Sequence, residues 1–374
     1  MDPQDECAVR LEDSYQRLLL KHFQARRLPV NLTDDEIRGR FRDMLGEAGA
    51  VRPDERMLDE LVRTARENDR RFPEVLRTSL ATLRRFVPEV KAQQEANGGA
   101  PIVAADACVG AFVFPGAAFN ATTLLSDEGD YLILVNFSLL EMIWQAAKLF
   151  AVSTHLADGM FSYLDRLKNS PGTPAQALAR ILGFYIGLPL RGSDLVNPPA
   201  GDDRARAQEL FRSCVLFIVG HEYAHILAGH IDPDVPLHAG KYDSTDANEV
   251  AADWLGLMLA LGEWRWGEFG DDEWQTRFQT RLGGPLFFFA LEQAVAAAEE
   301  KLGVAVSWSI APPRVRRAFL EPFYDQLAGH TDYRAAYPLT HDCENWIYRM
   351  DSELRDEIDR LDGSAGHLRT WDGH

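Results

Sequence analysis

The segment His221-Glu222-Tyr223-Ala224-His225 places two histidines four residues apart, with a glutamate beside the first. On an α-helix, residues at this spacing lie one above the other on a single face, so both imidazoles can be directed at one point. Two histidines and one carboxylate form a common ligand set for a catalytic zinc ion. Glu222 is displaced around the helix, where its carboxylate can act as a general base toward a water molecule.

An acidic segment further along the chain supplies the carboxylate that such a site still requires. Within Asn248–Asp253, Glu249 is the natural third ligand. Asp253 follows four residues later and would share the helix face of Glu249, where it could accept the free ring N–H of a ligand histidine. The alternative is that two ordinary core histidines and an unrelated acidic helix occur in the same chain.

The elements around these residues have the patterns needed to hold them. Phe211–Gly220 is a largely apolar run that predicts a buried helix leading into the motif, and Gly229 supplies its end. Val109–Phe114 and Tyr131–Asn136 predict short strands. Ser138–Glu141 has the pattern of a capping box, so we expect a helix to start there.

The first part of the chain, residues 1–97, predicts a helical region. Thr33–Glu36 has the pattern of a capping box. An apolar stripe at helical spacing follows, formed by Leu76, Leu80, Leu83 and Val87. Glycine and proline near residue 98 mark a boundary to a second region, 98–374. The helical region is either a sensor, inhibitor or partner-binding module, or a layer packed on the second region.

Composition restricts the partners of this protein. The chain has 374 residues, of which 46% are hydrophobic, as expected for a folded globular protein with a substantial core. A formal net charge of −18 argues against nucleic acid and anionic membrane surfaces. The acidic N-terminus lacks an apolar signal segment, and the apolar run from Pro285 soon meets Glu292, which predicts a core helix. We therefore expect a cytoplasmic protein without membrane contact.

The cysteines give no sign of a structural role. They are scattered along the chain without a C-x-x-C pair, at Cys7, Cys108, Cys214 and Cys343. Neither a disulfide framework nor a cysteine zinc site is indicated, and we expect buried free thiols.

The motif and the downstream acidic segment together resemble the gluzincin metallopeptidases, of which thermolysin is the familiar member. Within that group, His221-Glu222-x-x-His225 followed by Glu249-x-x-Ala252-Asp253 is most similar to HtpX-type and CAAX prenyl proteases and to Lit-like phage-exclusion peptidases. His230 also fits the style of that group. The resemblance implies zinc bound by His221, His225 and Glu249, with Glu222 as general base. It further implies an α+β, mainly α fold: a zincin-type domain with a small antiparallel or mixed sheet, preceded by the helical N-terminal region.

Other segments gain an interpretation from the same resemblance. Asn120-Ala121 is similar to the segment that precedes the edge strand, here Tyr131–Asn136, on which these peptidases hold an extended substrate. Relatives carry H-P-P-x-x-x-R where this chain has Ala311 in place of the histidine and Arg317 at the arginine position. Residues 153–203 predict a helical insertion that lines or covers the cleft.

The sequence offers several candidates for the group that stabilises a developing oxyanion. His238 and Tyr242, in the loop after the motif, are candidate donors, or else simple loop residues. Arg317 is a third candidate. Ala311 removes the histidine that relatives could use for this purpose.

We therefore expect a zinc-dependent endopeptidase that hydrolyses peptide bonds of a protein or peptide substrate with a metal-activated water. A proteolytically silent, zinc-binding regulatory or scaffold protein is the alternative. Ala311 motivates it, whereas the retained Glu222 argues against it. A third hypothesis is a latent defence or stress peptidase, held inactive by the helical region until a trigger or regulatory partner releases it.

Overall fold

A computed structural model describes residues 3–26, 33–36, 38–39, 42, 55–96, 102, 107–115, 119–154, 174–185, 201–231, 246–261, 272–302, 316, 318, 346 and 353–357. Its longer helices are α1 (Pro3–Arg26), α2 (Glu55–Ala96), α3 (Phe137–Thr154), α4 (Pro174–Tyr185), α5 (Asp202–Leu227), α6 (Asp246–Leu261) and α7 (Asp272–Leu302). The strands are β1 (Val109–Phe114), β2 (Ala121–Leu125) and β3 (Tyr131–Asn136). The expected α+β, mainly α class is confirmed, because the described residues are mostly helical with one small sheet.

The sheet has the strand order β1-β3-β2, with β1 parallel and β2 antiparallel to β3. The predicted strands β1 and β3 are confirmed, but the assignment of Tyr131–Asn136 as the edge strand is wrong. That strand is central, and its residues 132–135 are all buried, as expected for a strand covered on both faces. The edge strand beside helix α5 is β2, which a turn ending at Asp130 folds back against β3.

Helix α5 is the centre of the hydrophobic core and packs against α2, α3, α6 and α7. From Phe211 to Leu227 every residue except Arg212 is buried. Phe217 contacts the rings of Phe288 and Phe289 on α7, and burial of each such large side chain contributes about 1.5–3 kcal/mol. Of the described helices, only α5 is long and apolar enough to cross a membrane, and 94% of its apolar window is buried inside the fold. A core helix meets the same criterion.

The N-terminal region packs into this same core. The predicted stripe of α2 is buried and shares one cluster with side chains of α3 and α5. The capping box is also present, since Thr33 N donates to Glu36 Oε2 at 2.7 Å and Glu36 N donates to Thr33 Oγ1 at 3.3 Å. The boundary near residue 98 stays a prediction, although side chains from both sides of it form a common core.

Helix α1 lies against the sheet and is held by several kinds of contact. Leu11 packs on Leu132 and Leu134 of β3. Arg10 binds both carboxylate oxygens of Asp130 at 3.0 Å, and Tyr15 stacks on a ring of β1. A disulfide joins Cys7 to Cys108, just before β1. These contacts fix α1 to the start of β1 and to the turn between β2 and β3.

The expectation of free thiols is wrong for Cys7 and Cys108 and confirmed for the buried Cys214. Cys343 lies outside the described residues. The paired cysteines are 101 residues apart, so only the tertiary packing of α1 brings them together. Disulfides are typical of oxidising compartments, and the cytoplasmic localisation stays a prediction.

Two helices begin well before the apolar runs from which they were predicted. α5 begins at Asp202, where Asp203 supplies a second acidic residue to the first turn and so complements the helix dipole. α7 begins at Asp272 and keeps Pro285 in its interior, whereas we expected the helix to start at that proline. Of the predicted insertion at 153–203, the structure describes residues 153–154, α4 and 201–203, and α4 packs on α3.

Removal of the Cys7–Cys108 bond should lower the free energy of unfolding by about 2–5 kcal/mol, because the bond closes a long loop in the unfolded chain. Urea unfolding of the wild type with and without reductant, and of the Cys7→Ser, Cys108→Ser double variant, would measure the effect. Reductant should leave the double variant unchanged. An oxidised wild type that unfolds at the same urea concentration as the double variant would contradict the prediction.

Candidate metal centre

The two motif histidines lie on the last turns of α5, and the end of this helix sets their surroundings. Gly229 has a φ of 69°, which glycine adopts without strain. Gly229 N donates to Ile226 O at 3.1 Å, and His230 N donates to His225 O at 2.9 Å. This is the hydrogen-bond pattern of a Schellman motif. It turns the chain so that Nδ1 of His230 lies 3.1 Å from Nδ1 of His225.

Helix α6 presents its acidic residues on the face that touches α5. Glu249, Asp253 and Gly256 follow one another at spacings of four and three residues, so they lie on one side of the helix. At Gly256 the two backbones meet: a Cβ there would lie 2.6 Å from His221 N and 2.8 Å from His221 Cα. A Cβ at Gly220 would likewise lie 2.9 Å from Gly256 O. These glycines allow α6 to approach until its carboxylates reach the histidines.

The structure brings the side chains of His221, His225 and Glu249 together. The two Nε2 atoms are 3.1 Å apart, and they lie 3.3 Å and 3.5 Å from the two carboxylate oxygens of Glu249. All three residues are buried. This group could hold a metal ion, and the same contacts are ion pairs whenever a histidine is protonated.

The second ring nitrogen of His221 is held by a buried pair of opposite charges. Asp253 Oδ1 lies 2.8 Å from His221 Nδ1, which leaves Nε2 directed at Glu249. Arg316 donates from Nε and Nη2 to the two oxygens of Asp253 at 2.7 Å and 2.6 Å. This two-point contact fixes the carboxylate plane and so orients the imidazole.

Glu292 of α7 is a further buried carboxyl next to this pair. Its Oε1 lies 3.6 Å from Arg316 Nη1. Its Oε2 has no hydrogen-bond partner within the described part of the chain. Burial raises the pKa of Glu292 to about 7, against the opposing charge of Arg316. Arg316 is therefore paired with the carboxylate of Asp253, whereas the neighbouring carboxyl group of Glu292 changes its charge near neutral pH.

The titration of the cluster follows from these contacts. Burial of the His221 ring disfavours its charged form, but Asp253 and Glu249 outweigh burial and raise the pKa of His221 to about 10. Burial likewise opposes ionisation of Glu249, yet hydrogen bonds from His221 and His225 hold its pKa well below the ordinary value. Burial also opposes ionisation of Asp253, but the charge and hydrogen bonds of Arg316 hold the pKa of that carboxyl below its ordinary value. Without a metal, a proton on His221 balances the buried carboxylates.

Glu222 lies beside the metal group and contacts the sheet. Its side chain is buried, and Thr123 of β2 donates from Oγ1 to Glu222 Oε2 at 2.8 Å. The carboxylate is therefore ordered by a residue of the edge strand. Glu222 follows His221 directly in the sequence, and an ordered carboxylate at this position is compatible with a general base.

The structure brings together the side chains of four predicted site residues, namely His221, His225, Glu249 and Asp253. Glu222, next to His221 in the sequence, contacts Thr123. His238, Tyr242, Ala311 and Arg317 lie outside the described residues. Three contributors were missed: Thr123, Glu292 and Arg316. The sequence could have indicated Glu292, because it is a lone acidic residue in the apolar run after Pro285. Arg316 is the immediate neighbour of Arg317, which occupies the arginine position of H-P-P-x-x-x-R, whereas no sequence pattern indicates Thr123.

Comparison of the chain with known protein families, curated proteins and solved structures finds no match. The interpretation of this site therefore rests on the geometry and chemistry of its own residues.

Replacement of Gly256 by alanine should weaken metal binding about tenfold or more and lower the free energy of unfolding by about 1–3 kcal/mol. Alanine normally favours a helix, but the added methyl group would meet backbone atoms of His221, which cannot rotate away. Metal titration and urea unfolding would measure both effects. Gly39→Ala is the matched control, since a Cβ there meets nothing within 4 Å. Equal behaviour of the two variants would contradict the close-contact account.

The metal-free protein should lose stability as pH rises above neutrality. The pKa of His221 is raised from 6.5 to about 10 on folding, so its contribution is complete below about pH 6.5 and is lost as pH approaches about 10. Lys148, whose pKa burial lowers to about 8, acts in the opposite direction. The test is therefore the difference between wild type and His221→Gln, by urea unfolding with chelator from about pH 7 to about pH 10. An unchanged difference across that range would contradict the prediction.

Proposed function

We propose that this protein is a zinc-dependent endopeptidase of the zincin type, with His221, His225 and Glu249 as zinc ligands and Glu222 as general base. The observation that carries the proposal is the convergence of two buried imidazoles and one buried carboxylate: the two Nε2 atoms are 3.1 Å apart, His221 Nε2 lies 3.3 Å from Glu249 Oε2, and His225 Nε2 lies 3.5 Å from Glu249 Oε1. Zinc bonds of about 2.0–2.2 Å in tetrahedral geometry place neighbouring ligand atoms about 3.3–3.5 Å apart. The contacts between the two Nε2 atoms and the Glu249 carboxylate are close to that spacing.

The donor set also supports zinc. Two imidazoles and one carboxylate leave a fourth position of a tetrahedron for a water molecule or substrate, as in other catalytic zinc sites. Asp253 at 2.8 Å from His221 Nδ1 is the carboxylate–histidine arrangement that commonly accompanies such ligands. A zinc ion bound here would lower the pKa of a water molecule to about 7 and polarise a substrate carbonyl.

The protein groups then have separate tasks. Asp253, held by Arg316, keeps the Nδ1 proton on His221 so that Nε2 stays free to bind. Glu222 would accept the proton of the attacking water and deliver it to the leaving amine. Glu249 contributes one negative charge to the ligand set. Its two carboxylate oxygens lie 3.3 Å and 3.5 Å from the Nε2 atoms of the two histidines.

The edge strand supports a peptide as the substrate. β2 pairs with β3 on one side and, in the described part of the chain, with no strand on the other. An extended peptide can add to such an edge through main-chain hydrogen bonds. Because β2 contacts α5 and carries the donor to Glu222, a peptide bound there would run beside the metal group. We therefore propose a protein or peptide substrate held in extended form.

Glu222→Gln should retain about one zinc per chain and lose turnover by about a thousandfold or more, because the amide is not a base. Glu249→Gln should instead reduce the zinc content. Metal analysis of purified protein and cleavage of an unfolded protein substrate, with a chelator control, would measure these effects.

Each outcome has a distinct meaning. An active Glu222→Gln protein would contradict the assigned base. Zinc in the wild type without cleavage of any substrate would favour the silent scaffold over the peptidase. Full zinc content in both Glu249→Gln and His225→Gln would remove the proposed metal site itself.

A further inference from the structure

Thr123 is the middle residue of β2 and the only buried residue of that strand. Its side chain is 2% exposed, and its hydroxyl reaches Glu222, the proposed base, on helix α5. Oγ1 lies 2.8 Å from Glu222 Oε2 and 3.2 Å from Glu222 O. A hydroxyl has one hydrogen to donate, and the shorter contact to a carboxylate is the stronger of the two.

The direction of this side chain is set by the sheet. Successive residues of a strand point to opposite faces, so Thr123 faces α5 while Thr122 and Leu124 point to the other side. Thr123 is also paired with Ile133 of the buried central strand, which restricts its backbone. A valine would fill the same space, but a buried hydroxyl is unfavourable unless it forms a hydrogen bond. The contact to Glu222 satisfies that hydroxyl.

We propose that Thr123 is a positioning residue for Glu222. This inference rests on the proposed function. The hydrogen bond to Oε2 fixes the plane of the carboxylate and leaves Oε1 as the oxygen that accepts a proton. Among the described strands, β2 pairs only with β3, so its other side could receive the proposed extended peptide. A single residue of β2 would then position the base relative to the bound substrate.

The size of the effect follows from the charge of the acceptor. Hydrogen bonds to charged groups are stronger than those between neutral groups, and loss of one that orients a reacting group typically changes a rate by about tenfold to a hundredfold. Thr123→Val should therefore lower kcat by about this factor, with KM changed less than about threefold. Thr123→Ser keeps the donor and should retain most of the wild-type kcat.

The variants have a matched control on the same strand. Thr122→Val removes a hydroxyl from the neighbouring position on the opposite face and should leave kcat within about threefold of wild type. The wild type and the three variants should contain equal amounts of zinc. The hydrogen bond that Thr123→Val removes ends on Glu222, which is not a proposed zinc ligand. A merely structural role of Thr123 would lower stability in the valine and serine variants without the selective loss of kcat in Thr123→Val.

A second readout does not depend on activity. In full-length protein as purified, Thr123→Val should shift the unfolding equilibrium by about tenfold or more when Glu222 is present, but by less than about threefold in a Glu222→Ala background. The backbone acceptor Glu222 O remains in that background, so the difference isolates the carboxylate.

The two readouts separate the failure of this inference from the failure of the proposed function. Equal stability effects in both backgrounds would overturn the hydrogen bond. Unchanged kcat in Thr123→Val, in an enzyme that needs Glu222, would overturn the positioning role. If the wild type cleaves nothing, the proposed function fails, and the stability cycle alone then decides whether Thr123 holds Glu222.

Discussion

The close contact between the backbones of α5 and α6 is the constraint on which the site depends. At Gly220 and Gly256 the helices approach so closely that a single Cβ would collide with main-chain atoms. Because Glu249 and Asp253 lie on the same face of α6 as Gly256, the approach carries both carboxylates to the histidines of α5. The core is built around this contact, with α7 packed on α5 and also touching α6.

The close contact between α5 and α6 brings several charged side chains into the core, where Glu249 and Asp253 each have a partner of opposite charge or an imidazole. Asp253 is paired with Arg316, and Glu249 faces two imidazoles. The raised pKa of His221 means that a proton occupies the centre when no metal is bound. A divalent cation would take the place of that proton and satisfy the same carboxylate.

Much of the site could be predicted because it depends on local periodicity. The four-residue spacings of His221 and His225, and of Glu249 and Asp253, each define one helix face whatever the rest of the fold does. β1 and β3 were predicted from their apolar runs. β2 was missed, since Ala121-Thr122-Thr123-Leu124-Leu125 shows no alternation. That omission also hid Thr123.

The remaining features depend on contacts between distant segments. The Cys7–Cys108 bond exists because α1 packs on the sheet, and no local pattern announces it. Arg316 reaches Asp253 from a segment 63 residues later in the chain, whereas the H-P-P-x-x-x-R pattern indicates its neighbour Arg317. One residue along a helix turns a side chain by about 100°, so the spacing of a motif alone does not determine that Arg316 reaches Asp253.

We propose that two imidazoles of α5 and one carboxylate of α6 hold one metal ion. X-ray absorption at the zinc edge, on protein purified without added chelator, would identify the ligands. We expect one zinc per chain, coordinated by two imidazole nitrogens and by oxygen at about 2.0–2.2 Å, with no sulfur. A spectrum with sulfur ligands or a single imidazole, or protein that takes up no zinc at all, would contradict it.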